Sequence, residues 1–156
     1  MSATVSSTHR PALSVFADVL RAVKHRIEDA AFRERIEEHT FAGRPLKVVI
    51  ADKVAAEWYG ADVARMKELD TLAGRGFAPG ARVFDVGAHQ GVVAMILANE
   101  VGPTGKVIAV EATERNAEIA RRNVALNKIK NVEVLHAAAA RVDGPILFSQ
   151  KRNGAI

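Results

Sequence analysis

The chain has no cysteine, which excludes disulfide frameworks, thiolate metal sites and thiol nucleophiles together. No apolar run approaches the roughly 18–20 residues that cross a bilayer, so no membrane span is expected. The first nine residues lack the basic start and apolar stretch of a secretory leader, and a cytoplasmic protein is the reading. Aromatic residues are only 5% of the chain, and the excess of positive charge is small: 22 Lys and Arg against 18 Asp and Glu, a net +4. No basic stripe interleaved with aromatics is present, so no nucleic-acid partner is expected. Arg121, Arg122, Lys128 and Lys130, the densest basic patch, read as a solvated helix face. What remains is ordinary globular composition: 156 residues, 49% apolar and 26% charged, enough for one domain with a short appendage.

Residues 1–12 are small and polar and read as a disordered tail. From there to Gly80 the chain reads as an N-terminal helical region. Leu13, Phe16, Leu20, Val23, Ile27 and Ala31 recur at spacings of three and four, one stripe of a helix extending to about His39. A break at Gly43-Arg-Pro45 precedes a short strand, Leu46 to Ile50. A second helix is expected over 54–73, with Val54, Trp58, Val63, Met66, Leu69 and Leu72 buried.

Beyond Gly80 strand and helix alternate: strands at 82–86, 106–110 and 131–135, helices at 92–100 and 113–127, and a further extended run at 146–149. That order predicts an α/β fold with a parallel sheet and right-handed crossovers. The strand at 106–110 is nearly all apolar, as when both faces of a sheet are covered.

The loop Asp85-Val-Gly-Ala-His-Gln-Gly91 concentrates the chemistry. Gly87 and Gly91 stand where a strand turns sharply into a helix, and without a Cβ the backbone can take positive φ and admit a ligand closely. A tight turn with no ligand has the same spacing. Asp85, at the carboxyl end of an apolar strand, is costly to bury without a partner. Glu111 ends the next strand, where an acid in such folds accepts hydrogen bonds from the ribose hydroxyls of an adenosine-bearing ligand; capping the helix near Glu114 is its other reading. A dinucleotide pyrophosphate wants G-x-G-x-x-G, and positions 89 and 92 are His and Val. An acid beside the loop favours a ligand with a cationic amine, S-adenosylmethionine, over NAD.

Val83-Phe-Asp-Val-Gly-Ala-His-Gln-Gly91, Gly102-Pro-Thr-Gly-Lys-Val-Ile-Ala-Val-Glu111, Asn123-Val-Ala-Leu-Asn127 and Asn131-Val-Glu-Val134 together resemble the FkbM-type class I methyltransferases, over about residues 65–150. The resemblance implies a Rossmann-like parallel sheet and S-adenosyl-L-methionine as cofactor. It puts Asp85, Gly87, Ala88 and Gly91 on the methionine end, Glu111 on the ribose and Ala112 near the adenine. The implied acceptor is a hydroxyl on a small molecule or glycan. His89 stands where that family usually has Asn, and Ala112-Thr113 where it has Pro. Glu68 matches a family acid only loosely and reads as a solvated helix glutamate.

The resemblance also implies a Lys-Ile-Asp-Val-Glu-Gly segment after the third strand, which this sequence does not contain. Residues 81–156 therefore read as a partial methyltransferase domain holding the cofactor half, with strand 82–86 left as a sheet edge. No catalytic residue is assigned: His136 and Asp143 read as a loop residue and a turn former. A catalytically inactive remnant and an NAD-dependent oxidoreductase are the competing readings.

Overall fold

A computed structural model describes residues 31–66, 69, 77–141 and 144 of the chain. The chain divides into two units, 1–33 and 34–156, and the elements below all belong to the second. The tail at 1–12, most of the helix expected from Leu13, Glu68 and the run at 146–149 lie outside the described residues.

Strands β1 (Arg35–Phe41) and β2 (Arg44–Ile50) form an antiparallel hairpin. Its two-residue turn, Ala42-Gly43, has positive φ at both positions, the geometry that matches the twist of the flanking strands. This corrects the expected helix, which does not reach His39. Arg35-Ile-Glu-Glu-His-Thr-Phe41 has no apolar alternation of its own, and pairing with β2 makes it a strand. A short helix, α1 (Lys53–Tyr59), follows, its N-terminus capped by Asp52, which accepts from the Ala55 amide at 2.8 Å. The helix expected to run on to residue 73 ends at Gly60, because Val63 returns beside β1: its amide donates to Thr40 O and its carbonyl accepts from Ala42 N, both at 2.8 Å.

The second sheet is parallel, in the order β3 (Arg82–Val86), β4 (Lys106–Glu111), β5 (Val132–His136). Helices α2 (Val92–Glu100) and α3 (Glu114–Leu126) connect the strands. The expected Rossmann-like α/β arrangement is observed. The register aligns Val83, Val107 and Val132, then Asp85, Ala109 and Val134, on one face. Val107, Ala109 and Glu111 are buried there, and α2 is almost wholly buried. The opposite face departs from expectation: Phe84 and Val86 are 64% and 62% exposed, and Leu135 is exposed too. Among the described residues this face has no helical cover, and β3 lies at the edge of the three described strands.

One stripe of α3 and its C-terminal cap joins the hairpin to this sheet. Arg115 donates to Ala51 O at 3.1 Å. Ile119 packs on Val49. Asn123 Oδ1 accepts from Val49 N at 2.8 Å, and Asn127 both accepts from Lys47 N and donates to Lys47 O. Positions 115, 119, 123 and 127 climb the helix in steps of about 6 Å, close to the roughly 6.6 Å between alternate residues of a strand. The asparagine amides therefore stand in for a neighbouring strand along β2. The basic patch is partly ion-paired, as a solvated face implies: Arg122 with Glu34, Arg121 with Glu118.

Asn123 is fully buried and also donates to Gln90 O at 2.9 Å. Replacing it with Ala orphans the Val49 amide and the Gln90 carbonyl at once. Asn123→Ala is expected to lower unfolding free energy by about 2–4 kcal/mol, read from urea denaturation; a loss below about 0.5 kcal/mol would show that the amide is not what ties hairpin to loop.

Candidate active site

Beside the β3–α2 loop lies a pocket of about 690 Å³, within the range of small-molecule sites. Asp85, Gly87, Ala88 and His89 form its floor, and Trp58 and Tyr59 of α1 wall one side.

The loop's amides are mostly consumed within the chain. Gly87 N and Ala88 N both donate to Val110 O, at 2.8 and 3.0 Å. His89 N donates to Glu111 Oε2 at 2.9 Å, and Gly91 N to Ala88 O at 2.8 Å. A loop so folded does not offer the cradle of free N–H groups that a pyrophosphate needs. Gly87 has a φ of 83°, and a Cβ there would meet nothing within 4 Å, so its open side is space above the loop. Gly91 differs. At a φ of 79° it caps α2, and a Cβ would stand 3.0 Å from the Ala120 Cβ of α3; its lack of a side chain serves helix packing.

Asp85 carries the sharpest signal. Its Oδ2 is buried and has no hydrogen-bond partner among the described residues. Burial raises the carboxyl above its ordinary value; a hydrogen bond from the Ala94 backbone opposes this, and the nearby Glu111 charge adds to it. An unpaired carboxylate in an apolar wall is a seat for a cationic group, and the ammonium of an amino acid supplies one. Within the described residues, then, the site fits the amino-acid end of S-adenosylmethionine.

Glu111 is buried behind the loop. Its Oε1 accepts from the Thr113 amide and hydroxyl, both at 2.8 Å, and its Oε2 from His89 N. Thr113, expected to cap α3 with its side chain, gives its hydroxyl to Glu111 instead, so the carboxylate does part of the helix-start work that was its competing reading. Among the described residues no donor engages the second lone pair of Oε2. Ala112 lies further along, its carbonyl 3.2 Å from His136 Nε2. Of the six expected cofactor residues, Asp85, Gly87 and Ala88 line the pocket; Glu111 reaches it through His89, while Gly91 and Ala112 do not line it. Asp143 lies outside the described residues.

Two wall residues were not expected at the site. Trp58, expected in the core, is 48% exposed, its ring centroid 4.8 Å from that of His89. Tyr59 is buried, with its hydroxyl 3.0 Å from His89 Nδ1. His89 itself takes a φ of 48°. The available signal was that the chain's single Trp and single Tyr are adjacent.

A Rossmann-like sheet, a glycine turn after its first strand, a half-buried acid with one unmatched oxygen on that strand and a second acid ending the next define a class I S-adenosylmethionine-dependent methyltransferase fold. The sequence model described as "Protein-L-isoaspartate(D-aspartate) O-methyltransferase (PCMT)" matches residues 8–142. The chain belongs to that family. It is 30% identical over 118 residues to the protein-L-isoaspartate O-methyltransferase of Methanothrix thermoacetophila, a match covering 76% of this chain and 50% of the relative. It is 41% identical over 83 residues to the arsenite methyltransferase of Halobacterium salinarum, covering 53% of this chain and 21% of that protein. Among solved structures, a SAM-dependent methyltransferase from Aquifex aeolicus aligns at 30% identity with a TM-score of 0.44, over 55% of this chain and 42% of that one. The chain thus spans half or less of the length of these curated relatives.

The methyltransferase class and the S-adenosylmethionine cofactor expected from the sequence agree with this family. The family matched is not the FkbM type. The expected acceptor, a hydroxyl on a small molecule or glycan, is overturned: the family is described by a protein isoaspartate. Among the described residues no helix is long and apolar enough to cross a membrane.

Two outcomes follow from the electrostatics. A carboxyl with a raised value contributes stability that is full below its unfolded value, about 3.9, and lost as pH rises through the folded one. Asp85→Asn is therefore expected to raise the Tm of the unliganded protein by a few degrees at pH 7 and to leave it little changed near pH 4; calorimetry showing a lower Tm at both would contradict the unpaired charge. His89 is shifted the other way: burial lowers it, opposed by the charges of Glu111 and Asp52. Because protonated imidazole quenches indole emission, Trp58 fluorescence is expected to fall on acidification with a midpoint below about 6.5, and His89→Gly to abolish that transition.

Proposed function

We propose that this chain carries the cofactor-binding part of an enzyme that methylates the free carboxylate of an isoaspartyl residue in a protein. The observation that carries the reading is the unpaired carboxylate of Asp85 in the wall of the pocket, beside a loop whose amides are already spent. S-adenosylmethionine supplies an electrophilic methyl on a cationic sulfur. Asp85 pairs with the ammonium of its amino-acid end. Gly87 and Ala88 let that end lie against the loop, and the remaining lone pair on Glu111 Oε2 accepts from a ribose hydroxyl. Gly91 and Ala112 support this arrangement by packing and by shaping the adenine side.

A carboxylate acceptor removes a difficulty that a hydroxyl would raise. A hydroxyl needs a base or metal to become a nucleophile, and no base is assigned here. A carboxylate with an ordinary value near 4 is ionised at neutral pH. Its oxygen forms the new bond to the methyl carbon as the carbon–sulfur bond breaks and the electron pair passes to sulfur, with no proton to move. The protein's task is then to hold acceptor and methyl in line and exclude water. A cytoplasmic location belongs to the same reading.

Incubation with methyl-labelled S-adenosylmethionine is expected to transfer label to an isoaspartyl peptide and not to its aspartyl isomer; label on neither, with tight binding of NAD instead, would end this reading in favour of the oxidoreductase. Binding of S-adenosylhomocysteine without transfer would favour a remnant that only holds the nucleoside. Glu111→Ala is expected to weaken S-adenosylhomocysteine binding about tenfold and to lower Tm as well, since three internal donors lose their acceptor. Unchanged affinity in calorimetric titration would remove the ribose assignment.

A further inference from the structure

His89 holds a left-handed backbone conformation that residues with a side chain rarely adopt. Such a conformation persists when its surroundings over-determine it, and here three contacts do so. The amide donates to Glu111 Oε2, the Tyr59 hydroxyl meets Nδ1 at 3.0 Å, and the Trp58 ring lies against the imidazole. Burial raises the Tyr59 hydroxyl well above its ordinary value, so it keeps its proton and donates. Nδ1 is then the acceptor, and in a neutral ring the proton lies on Nε2. Among the described residues no hydrogen bond engages Nε2, and His89 lines the same pocket as Asp85.

We propose that His89 determines specificity in this pocket: its Nε2–H, oriented by Tyr59, donates to a carboxylate of the bound molecule. The inference rests on the pocket being the S-adenosylmethionine site. Asp85 and His89 then match the two ends of an α-amino acid, an acceptor for its ammonium and a neutral donor for its carboxylate. A neutral donor adds no cation to compete for Asp85. Two carboxylates could meet it, that of the cofactor's amino-acid end and that of an isoaspartyl acceptor.

The test compares wild type, His89→Gly and Tyr59→Phe by calorimetric titration. Glycine tolerates the φ at position 89 and keeps the amide that donates to Glu111, while Tyr59→Phe removes only the orienting hydroxyl. The probes are S-adenosylhomocysteine, 5′-methylthioadenosine, which has the nucleoside but no amino-acid end, and an isoaspartyl peptide titrated in the presence of S-adenosylhomocysteine. A loss of about tenfold for S-adenosylhomocysteine with none for methylthioadenosine assigns the donor to the cofactor. Unchanged S-adenosylhomocysteine binding with about tenfold weaker peptide binding assigns it to the acceptor. Equal losses for both nucleosides, or no loss for any probe, would overturn the proposal while leaving the cofactor site standing; a wild type that binds neither nucleoside would remove both. Long-range proton–nitrogen NMR gives an independent readout: the proton is expected on Nε2, and finding it on Nδ1 would overturn the proposal whatever the affinities.

Discussion

The arrangement depends on the side-chain amide of Asn123. It is buried, accepts from the Val49 amide in β2 and donates to the Gln90 carbonyl in the loop after β3. One group belongs to the hairpin and the other to the loop that leaves the parallel sheet. Each would be left without a partner in a dry interior if the asparagine moved, and an unmatched buried group costs more than a matched one contributes. The hairpin, α1 and the glycine loop are thereby held to one another through α3. That is how Trp58 and Tyr59, some thirty residues before the loop, come to form a wall of its pocket.

The pocket sits where this interior is least satisfied. Asp85 keeps one carboxylate oxygen buried and unmatched, and the side-chain amide of Gln90 is fully buried with neither polar atom hydrogen-bonded among the described residues. The surroundings are otherwise well matched: Glu111 collects three donors, and Asn127 uses both ends of its amide on Lys47. Among the described residues the unmatched buried side-chain atoms thus cluster at the strand end and loop that border the pocket, the kind of place where functional groups gather.

Periodicity made the second half of the chain legible. Val83-Phe-Asp-Val86 and Lys106-Val-Ile-Ala-Val110 are short apolar runs bounded by glycine turns, and α3 shows its apolar stripe plainly. The spacing of Asp85, Gly87 and Glu111 pointed to a nucleoside site without structure. The hairpin was harder to see. β1 draws its strand character from its partner, and its turn begins with Ala42, where Asn would have been a recognisable signal. In the sequence Asn123 and Asn127 stand out only as part of a family-like motif, because their partners lie 74 and 80 residues earlier. The acceptor was misjudged for a related reason: the cofactor loop is shared across methyltransferases of many substrates, so a resemblance carried by it names the donor and leaves the recipient open.

The matched steps of α3 and β2 also work as a ruler. Adding one residue between Asn123 and Asn127 would rotate everything beyond it by about 100°, swinging Asn127 to a different side of the cylinder while Asn123 stays. Length in this helix is therefore under tighter restraint than composition. Its outward positions are freer to vary than its length, and an added residue is accommodated beyond Asn127, where the chain leaves the helix.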